Sequence, residues 1–317
     1  MTGFEASENR VNELLMSMEG RTGLLAGNRV WEPVREWTSF SARFILLQSG
    51  QDRIALKLGT NWESGSVAFV SGEIDRVSRI LAGLSSGGVA MPGVLGMAAN
   101  PPALALEYFE GKPLFEMIPL LGETERQVVL RTCGEAIGAF HRSEEVPEGP
   151  VDGSAAMAEL AAAARRALVS RSAAARIGPG LARARSYRFS PNDFLLTERQ
   201  TLVLLDPPHV QKYDFVHRDI GSFFMELHRS LVGEKRPGAK GAVLVDEARE
   251  AFLDGYRTEG PDVLNRPEDV WAIDLFQAAR VAGVARSRAG SRAFGPARRA
   301  FSWARWLRRG LSLETKE

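Results

Sequence analysis

Residues 186–206 read SYRFSPNDFLLTERQTLVLLD, and the interpretation of the whole chain starts from this stretch. Its first part, residues 186–193, is mostly polar. Two apolar runs follow, residues 194–196 and 201–205, separated by a polar segment. This pattern predicts a β-hairpin.

The first third of the chain, far upstream of this hairpin, favours β-strands. Apolar and β-branched residues are concentrated there in short runs, at 30–35, 42–48, 53–58, 91–96 and 104–108. Between the third and fourth runs, apolar residues recur at three- and four-residue spacing from Val67 to Leu84. That spacing predicts one amphipathic helix among the strands.

The remainder of the chain has mostly helical periodicity. It predicts helices at 123–142, 220–231, 244–258 and 270–285, and two helices within 154–185 that are broken at 177–180. A β-rich part followed by a helical part is typical of an α+β fold with two lobes. We therefore predict an N-lobe at 1–108 and a helical C-lobe at 109–317.

Composition restricts the class of protein but not its activity. The 317 residues have a net charge of +1, and the single cysteine, Cys133, excludes an intrachain disulfide framework. Its apolar helical surroundings predict a buried thiol. With no apolar N-terminal run and no long apolar segment, we expect a cytoplasmic protein.

The C-terminal part of the chain is strongly basic. Residues 275–317 contain nine arginines and one lysine against two glutamates. At helical spacing, residues 296–311 place a mostly alanine stripe on one side and arginines on another, with two tryptophans between them. This fits either a final helix packed on the C-lobe or a helix lying on an anionic membrane surface. We favour the first interpretation. Nucleic-acid binding is not expected, because no recognised module is present.

Several motifs, in a fixed order, resemble those of the aminoglycoside phosphotransferase and choline kinase-like families. These families have a catalytic loop similar to His-Gly-Asp-Phe-x-Pro-x-Asn, then a short hairpin and Ile-Asp-Phe-Gly. The similarity covers about residues 30–260, and its motifs here are IALK at 54–57, Glu73, PGVL at 92–95, LEYFEGKPL at 106–114, GAFH at 138–141 and the 186–206 stretch. The resemblance implies a two-lobed, protein-kinase-like fold.

The resemblance also implies a nucleotide site in the N-lobe, with ATP and Mg²⁺ as cofactors. Lys57 would contact the α- and β-phosphates, and Glu73 on the following helix would pair with it and orient it. The backbone from Leu106 to Tyr108 would meet the adenine. ATP and Mg²⁺ remain possible rather than assured, because the segment Glu36–Ser41 between the first two strands contains no glycine.

In the C-lobe, the resemblance implies two metal ligands and two structural residues. Asp206 and Asp193 would hold the metal, although Asp193 stands where these families have asparagine. Asp219 and His141 would brace the catalytic loop. Asp219 lies in a His-Arg-Asp sequence, but a protein kinase has that motif before the metal-binding aspartate, not after it.

The position of the catalytic aspartate is occupied by Arg188. A guanidinium stays protonated at physiological pH and cannot accept a proton from a substrate hydroxyl. We expect Arg188 to pair with Asp206 or Asp193, since neighbouring carboxylates without a metal need a compensating cation.

Two functions follow from this altered loop. The favoured one is a pseudokinase-type scaffold that binds a partner protein, a peptide or a small-molecule ligand. The alternative is an active ATP-dependent phosphotransferase that acts on a small-molecule, sugar or peptide hydroxyl through a rearranged loop. Whether the protein is an enzyme stays open at this point.

Overall fold

The structure is a computed structural model that describes residues 7–25, 27, 29–38, 42–59, 64–84, 88–143, 153–167, 181–185, 189–205, 213–233, 238–264 and 266–289. The described residues divide into two compact units. The first comprises those within 1–83, 89–111 and 197–209, and the second comprises those within 84–88, 112–196 and 210–317. Part of the predicted hairpin therefore groups with the first unit, although the sequence placed it in the C-lobe.

The first unit is built on a five-stranded sheet. Its strands are β1 (Glu32–Thr38), β2 (Ala42–Ser49), β3 (Asp52–Gly59), β5 (Val94–Ala99) and β6 (Pro102–Glu107). They pair in the order β1-β2-β3-β6-β5, and every pair is antiparallel. The predicted β-rich character of the N-terminal part is confirmed.

Each face of this sheet packs against helices or turns, as the alternation of apolar residues along the strands requires. On one face lie Ile54, Leu56 and Leu58 of β3, packed with helix α1 (Glu8–Ser17). On the other face Leu104 and Leu106 pack against helix α2 (Ser64–Ala82). The predicted single helix between the strands is thus present and covers one side of the sheet.

Several short strands lie outside the five-stranded sheet. Strand β4 (Val89–Ala90) pairs in parallel with β10 (Leu202–Leu204), and β7 spans Gly111–Pro113. Strand β9 (Phe194–Thr197) leads to β10 through a tight turn in which the Thr197 amide donates to the Thr201 carbonyl at 3.0 Å. The predicted apolar runs around residues 194–205 are therefore strands.

The second unit is mainly helical. Its helices are α3 (Leu114–Met117), α4 (Glu123–Ser143), α5 (Gly153–Ala167), α6 (Val216–Val232), α7 (Ala239–Glu259) and α8 (Pro267–Ala289). Helices α4 and α7 pack closely, and α5, α6 and α8 enclose an apolar cluster around Phe215 and Phe276. Cys133 of α4 is fully buried, as predicted, and burial raises the pKa of its thiol. None of the described helices is long and apolar enough to cross a membrane.

One predicted element is wrong. Residues 183–185 were assigned to a helix, but they form strand β8, which pairs antiparallel with β11 (Tyr213–Phe215). These three residues form a strand because their backbone pairs with β11; Ala184 and Arg185 are both buried, so burial shows no two-residue period. The guanidinium of Arg183 lies 4.6 Å from the ring centre of Phe215, so the pairing also gains a cation–π contact.

Candidate functional site

Lys57 and Glu73 are both buried within the first unit, which is unusual for charged side chains. Lys57 is 2% exposed on β3, directly opposite Phe44 on β2 and Leu104 on β6. Its Nζ lies 5.7 Å from the ring centre of Phe44. By strand alternation Lys57 shares the sheet face of Leu104, which is the face that α2 covers.

Glu73 stands on the helix that covers this face. It is 7% exposed, next to Ile74, which belongs to the apolar contact between α2 and the sheet. Its Oε2 accepts a hydrogen bond from Arg76 at 3.0 Å. The structure therefore puts a buried lysine and a buried glutamate on facing elements of one unit, and Arg76 is a further cation that the sequence reasoning missed.

The backbone predicted to meet adenine lies at the end of β6. Leu106 is buried in the apolar contact with α2, whereas Tyr108, beyond the strand, is half-buried. Between them, Glu107 exchanges two hydrogen bonds with Gly93, one through its amide and one through its carboxylate, both 3.0 Å long. The strand end is thereby fixed from β5, and the backbone after it is held in a defined direction.

The described part of the altered loop, residues 189–193, is rigidly built. Pro191–Asp193 form one turn of 3-10 helix with Ser190 as the N-cap, a capping box. The Asn192 amide donates to the Ser190 hydroxyl at 3.1 Å, and the Ser190 amide donates to Asp193 Oδ2 at 2.7 Å. Phe189, which precedes the turn, stacks on Phe140 of α4 with ring centres 5.3 Å apart.

This geometry bears on the predicted Mg²⁺ site. One oxygen of Asp193 is already an acceptor within its own loop, so it serves the turn as a cap. No group of three or more potential metal-ligating side chains occurs among the residues that the structure describes. Arg188 and Asp206 lie outside the described residues.

His141 and Asp219 come together in the core of the second unit. His141 Nε2 lies 3.5 Å from Asp219 Oδ2, and His141 Nδ1 lies 2.8 Å from the hydroxyl of Tyr256. All three side chains are buried. The network joins α4, α6 and α7. Tyr256 was not singled out from the sequence, since an aromatic residue on an apolar helix face gives no signal of a polar contact.

The rest of the His-Arg-Asp sequence at 217–219 is tied to structure as well. His217 Nε2 lies 3.0 Å from Asp269 Oδ1 on α8, and Arg266 contacts the same carboxylate at 2.9 Å. Burial lowers the pKa of His217, although the hydrogen bond with Asp269 acts in the opposite direction. Burial raises the pKa of Asp269, but the hydrogen bonds from His217 and Arg266 outweigh it and bring the pKa to about 2.

These two groups make the stability of the second unit sensitive to acid. Both native pKa values lie below those of the unfolded chain, so the unfolded chain binds more protons as the pH falls. We expect the His217 contribution to decline below about pH 6.5, and the Asp269 contribution, about 2 kcal/mol, to be lost between about pH 4 and 2. Urea unfolding of the wild type and of Asp269→Asn across this pH range tests the prediction. The variant should have a lower free energy of unfolding at pH 7, and its free energy should fall less steeply as the pH is lowered. If the free energies of unfolding of the two proteins changed in parallel with pH, Asp269 would not be a source of the acid sensitivity.

A cavity opens beside the rigid loop within the second unit. It has a volume of about 490 Å³ and is lined by the backbone turn at Phe189 and Ser190 and by side chains of α5, α6 and α8. Its charged residues are Arg218, Glu226 and Arg280. Arg218 is held by Asp214, and Glu226 is held by Arg229 at 2.6 Å. Sequence reasoning did not identify this cavity, because its walls come from segments far apart in the chain.

Solved structures similar to the whole chain identify the fold. A candidate aminoglycoside phosphotransferase from Ralstonia eutropha JMP134 shares 13% identity, with a TM-score of 0.61 over 96% of this chain and 97% of that chain. Choline kinase from Cryptosporidium parvum Iowa II shares 12% identity, with a TM-score of 0.53 over 90% and 91% of the two chains. Aminoglycoside 2'-phosphotransferase-IIIa, solved as a GDP complex, shares 10% identity, with a TM-score of 0.51 over 96% and 99%.

At this level of identity the similarity establishes the fold, which is that of the kinase-like phosphotransferases. The predicted α+β class is confirmed. No protein-family model matches the chain, and no curated protein sequence matches it either.

Proposed function

We propose that this protein is a kinase-fold scaffold that binds a ligand, peptide or partner protein without efficient phosphoryl transfer. The observation that carries the proposal is the loop at 188–193. Its turn is built with a complete capping box, yet the residue before Phe189 is an arginine where a catalytic carboxylate is expected. The loop retains a framework for catalysis and lacks the group that would orient a hydroxyl.

The chemistry of phosphoryl transfer gives this substitution its weight. The reaction depends on a residue that positions the attacking hydroxyl and on a metal that neutralises the developing charge. Arg188 cannot accept a proton. Asp193, which would share the metal with Asp206, already accepts a hydrogen bond from the Ser190 amide. The arginine at position 188 and the capping role of Asp193 both weaken catalysis more than they weaken ligand binding.

An active phosphotransferase is the second candidate, and the N-terminal unit favours it. Burying Lys57 and Glu73 costs free energy unless their charges are compensated. A protein that had lost all use of a nucleotide site would gain stability from apolar side chains at both positions. Their presence on facing elements of the unit supports a retained anion-binding role, for which the phosphates of ATP are the natural occupant.

Nucleotide binding with and without Mg²⁺ tests the scaffold proposal. We expect ATP, ADP or GTP to raise the melting temperature equally in the presence and absence of Mg²⁺, because we expect the Arg188 guanidinium to compensate the carboxylates that would otherwise bind the metal. A nucleotide concentration about 100 times the dissociation constant stabilises the folded protein by about 2.7 kcal/mol, which raises the melting temperature of a protein of this size by several degrees. Lys57→Met, which keeps an unbranched side chain and removes the charged ammonium group, should abolish the shift. A shift that grows with Mg²⁺ would favour the active enzyme.

A further inference from the structure

Helices α4 and α7 enclose a groove in the second unit, with a volume of about 530 Å³. It shares no lining residue with the cavity beside Phe189. Positions three and four residues apart on each helix face it, so one face of α4 and one face of α7 form its walls. The lining residues that matter here are Val128, Arg131, Glu135, Glu247, Glu250 and Asp254. We call this surface the α4–α7 groove.

The α4–α7 groove carries an excess of negative charge. Four of its lining residues are carboxylates and one, Arg131, is a cation, which lies 3.4 Å from Asp254. Arg257 contacts Glu250 at 3.6 Å and Asp254 at 3.1 Å from outside the lining. Even when both arginines are counted, the carboxylates outnumber the cations by two, so the groove attracts positive charge.

Glu135 distinguishes this groove from an ordinary acidic surface. It is only 8% exposed, and its Oε2 has no hydrogen-bond partner within the described part of the chain. A buried carboxylate oxygen without a partner costs more than an unmet neutral acceptor. Such groups are rare in native proteins, and each calls for a partner that completes it. A hydrogen-bond donor that enters from the groove, which Glu135 lines, would satisfy this oxygen.

The properties of the groove limit the chemistry of that partner. No described set of three or more acidic, histidine or cysteine side chains is arranged to hold a metal ion. A hydrogen-bond donor with a positive charge satisfies both the orphan oxygen and the negative field. Val128 is 59% exposed along the same wall and offers apolar surface to an aliphatic stem.

We infer that the α4–α7 groove binds an ammonium or guanidinium group carried on a flexible aliphatic chain, with Glu135 as its innermost contact. A free polyamine and a basic side chain of a peptide both present this group. The groove includes no residue of the 189–193 loop, Lys57 or Glu73, so this inference does not rest on the proposed function.

Calorimetric titration of the full chain tests this inference with two probes. One is spermidine, and the other is a capped Arg-Ser-Arg peptide compared with its citrulline counterpart. The ionic strength is physiological, so that attraction between exposed charges is screened beyond about 8 Å. Glu135→Gln keeps the shape of the side chain and removes its charge. We expect it to weaken binding about tenfold, the factor that corresponds to about 1.4 kcal/mol.

A matched control and a second variant keep the test decisive. Glu116→Gln removes an exposed carboxylate of α3 outside the groove and should leave the affinity unchanged. Glu250→Gln, at an exposed groove position, should weaken binding about two- to threefold and serves if Glu135→Gln fails to fold. Tight binding of spermidine alone identifies a free amine, and preference for the arginine peptide over citrulline identifies a basic segment. No binding of either probe, or equal affinity for the wild type and both groove variants, would overturn the inference.

Discussion

Gly255→Ala is expected to lower the free energy of unfolding by about 3 kcal/mol or more, the upper range for overpacking a core. A Cβ at this position would press against the carbonyl oxygen of Arg131 and lie 2.7 Å from its carbonyl carbon. The obstruction is backbone of the neighbouring helix, so no side chain can rotate away to relieve it. Helices α4 and α7 would have to separate, and α4 carries His141 of the buried polar network.

Gly72→Ala is the matched control, and its expected effect has the opposite sign. Gly72 lies within α2, is exposed, and has no atom within 4 Å of the position of an added Cβ. Alanine is favoured over glycine in a helix by about 0.5–1 kcal/mol, so this variant should be slightly more stable than the wild type. Urea unfolding followed by circular dichroism measures both. A Gly255→Ala protein as stable as the wild type would show that the α4–α7 packing is looser than described.

The elements that sequence reasoning located well are those whose pattern is local. The strands around Lys57 alternate apolar residues toward two covered faces, and α2 has apolar residues at Val70, Ile74 and Val77. Such periodicity arises because each strand or helix buries one of its own faces, and it is therefore visible in the sequence of that element alone.

The boundaries that were missed lack a local signal. Helix α6 begins at Val216, four residues before the predicted start at 220, and its N-cap is Phe215, without a side-chain cap hydrogen bond. Nothing in the sequence marks that start. Strand β8 was missed because three residues are too few to show a period, and it exists only through pairing with β11, about 30 residues further along the chain.

The site residues show the same division between local and long-range information. Resemblance of motifs singled out Lys57, Glu73, His141 and Asp219, and the structure places all of them in buried positions. Glu135 was not singled out, because an acidic residue in an otherwise ordinary helix is typical of a solvated face. Its burial results from the close approach of α7, which depends on Gly134 and Gly255 at the contact. Only the packed structure reveals an unpartnered carboxylate there.

The largest expected effect on activity concerns Arg188. The wild type should hydrolyse ATP at background, and Arg188→Asp should raise the turnover by at least about 100-fold, the lower range for a positioned acid–base group. The substitution supplies a carboxylate that can orient water or a hydroxyl, and it removes a cation that opposes Mg²⁺. The same change at Arg199, exposed in the turn between β9 and β10, is the control and should leave the turnover at background.

Two further measurements make this experiment decisive between the scaffold and the enzyme. Robust turnover in the wild type that is lost in Asp206→Ala would show that the scaffold proposal is wrong, because the loop would then be catalytic despite Arg188. If the ATP turnover of Arg188→Asp stays at background, the affinity of this variant for Mg²⁺-ATP identifies the reason. Binding without turnover means that the acceptor is missing from the assay. Absence of binding means that the glycine-free segment Glu36–Ser41 prevents the phosphates from approaching the backbone, so the defect precedes the catalytic loop.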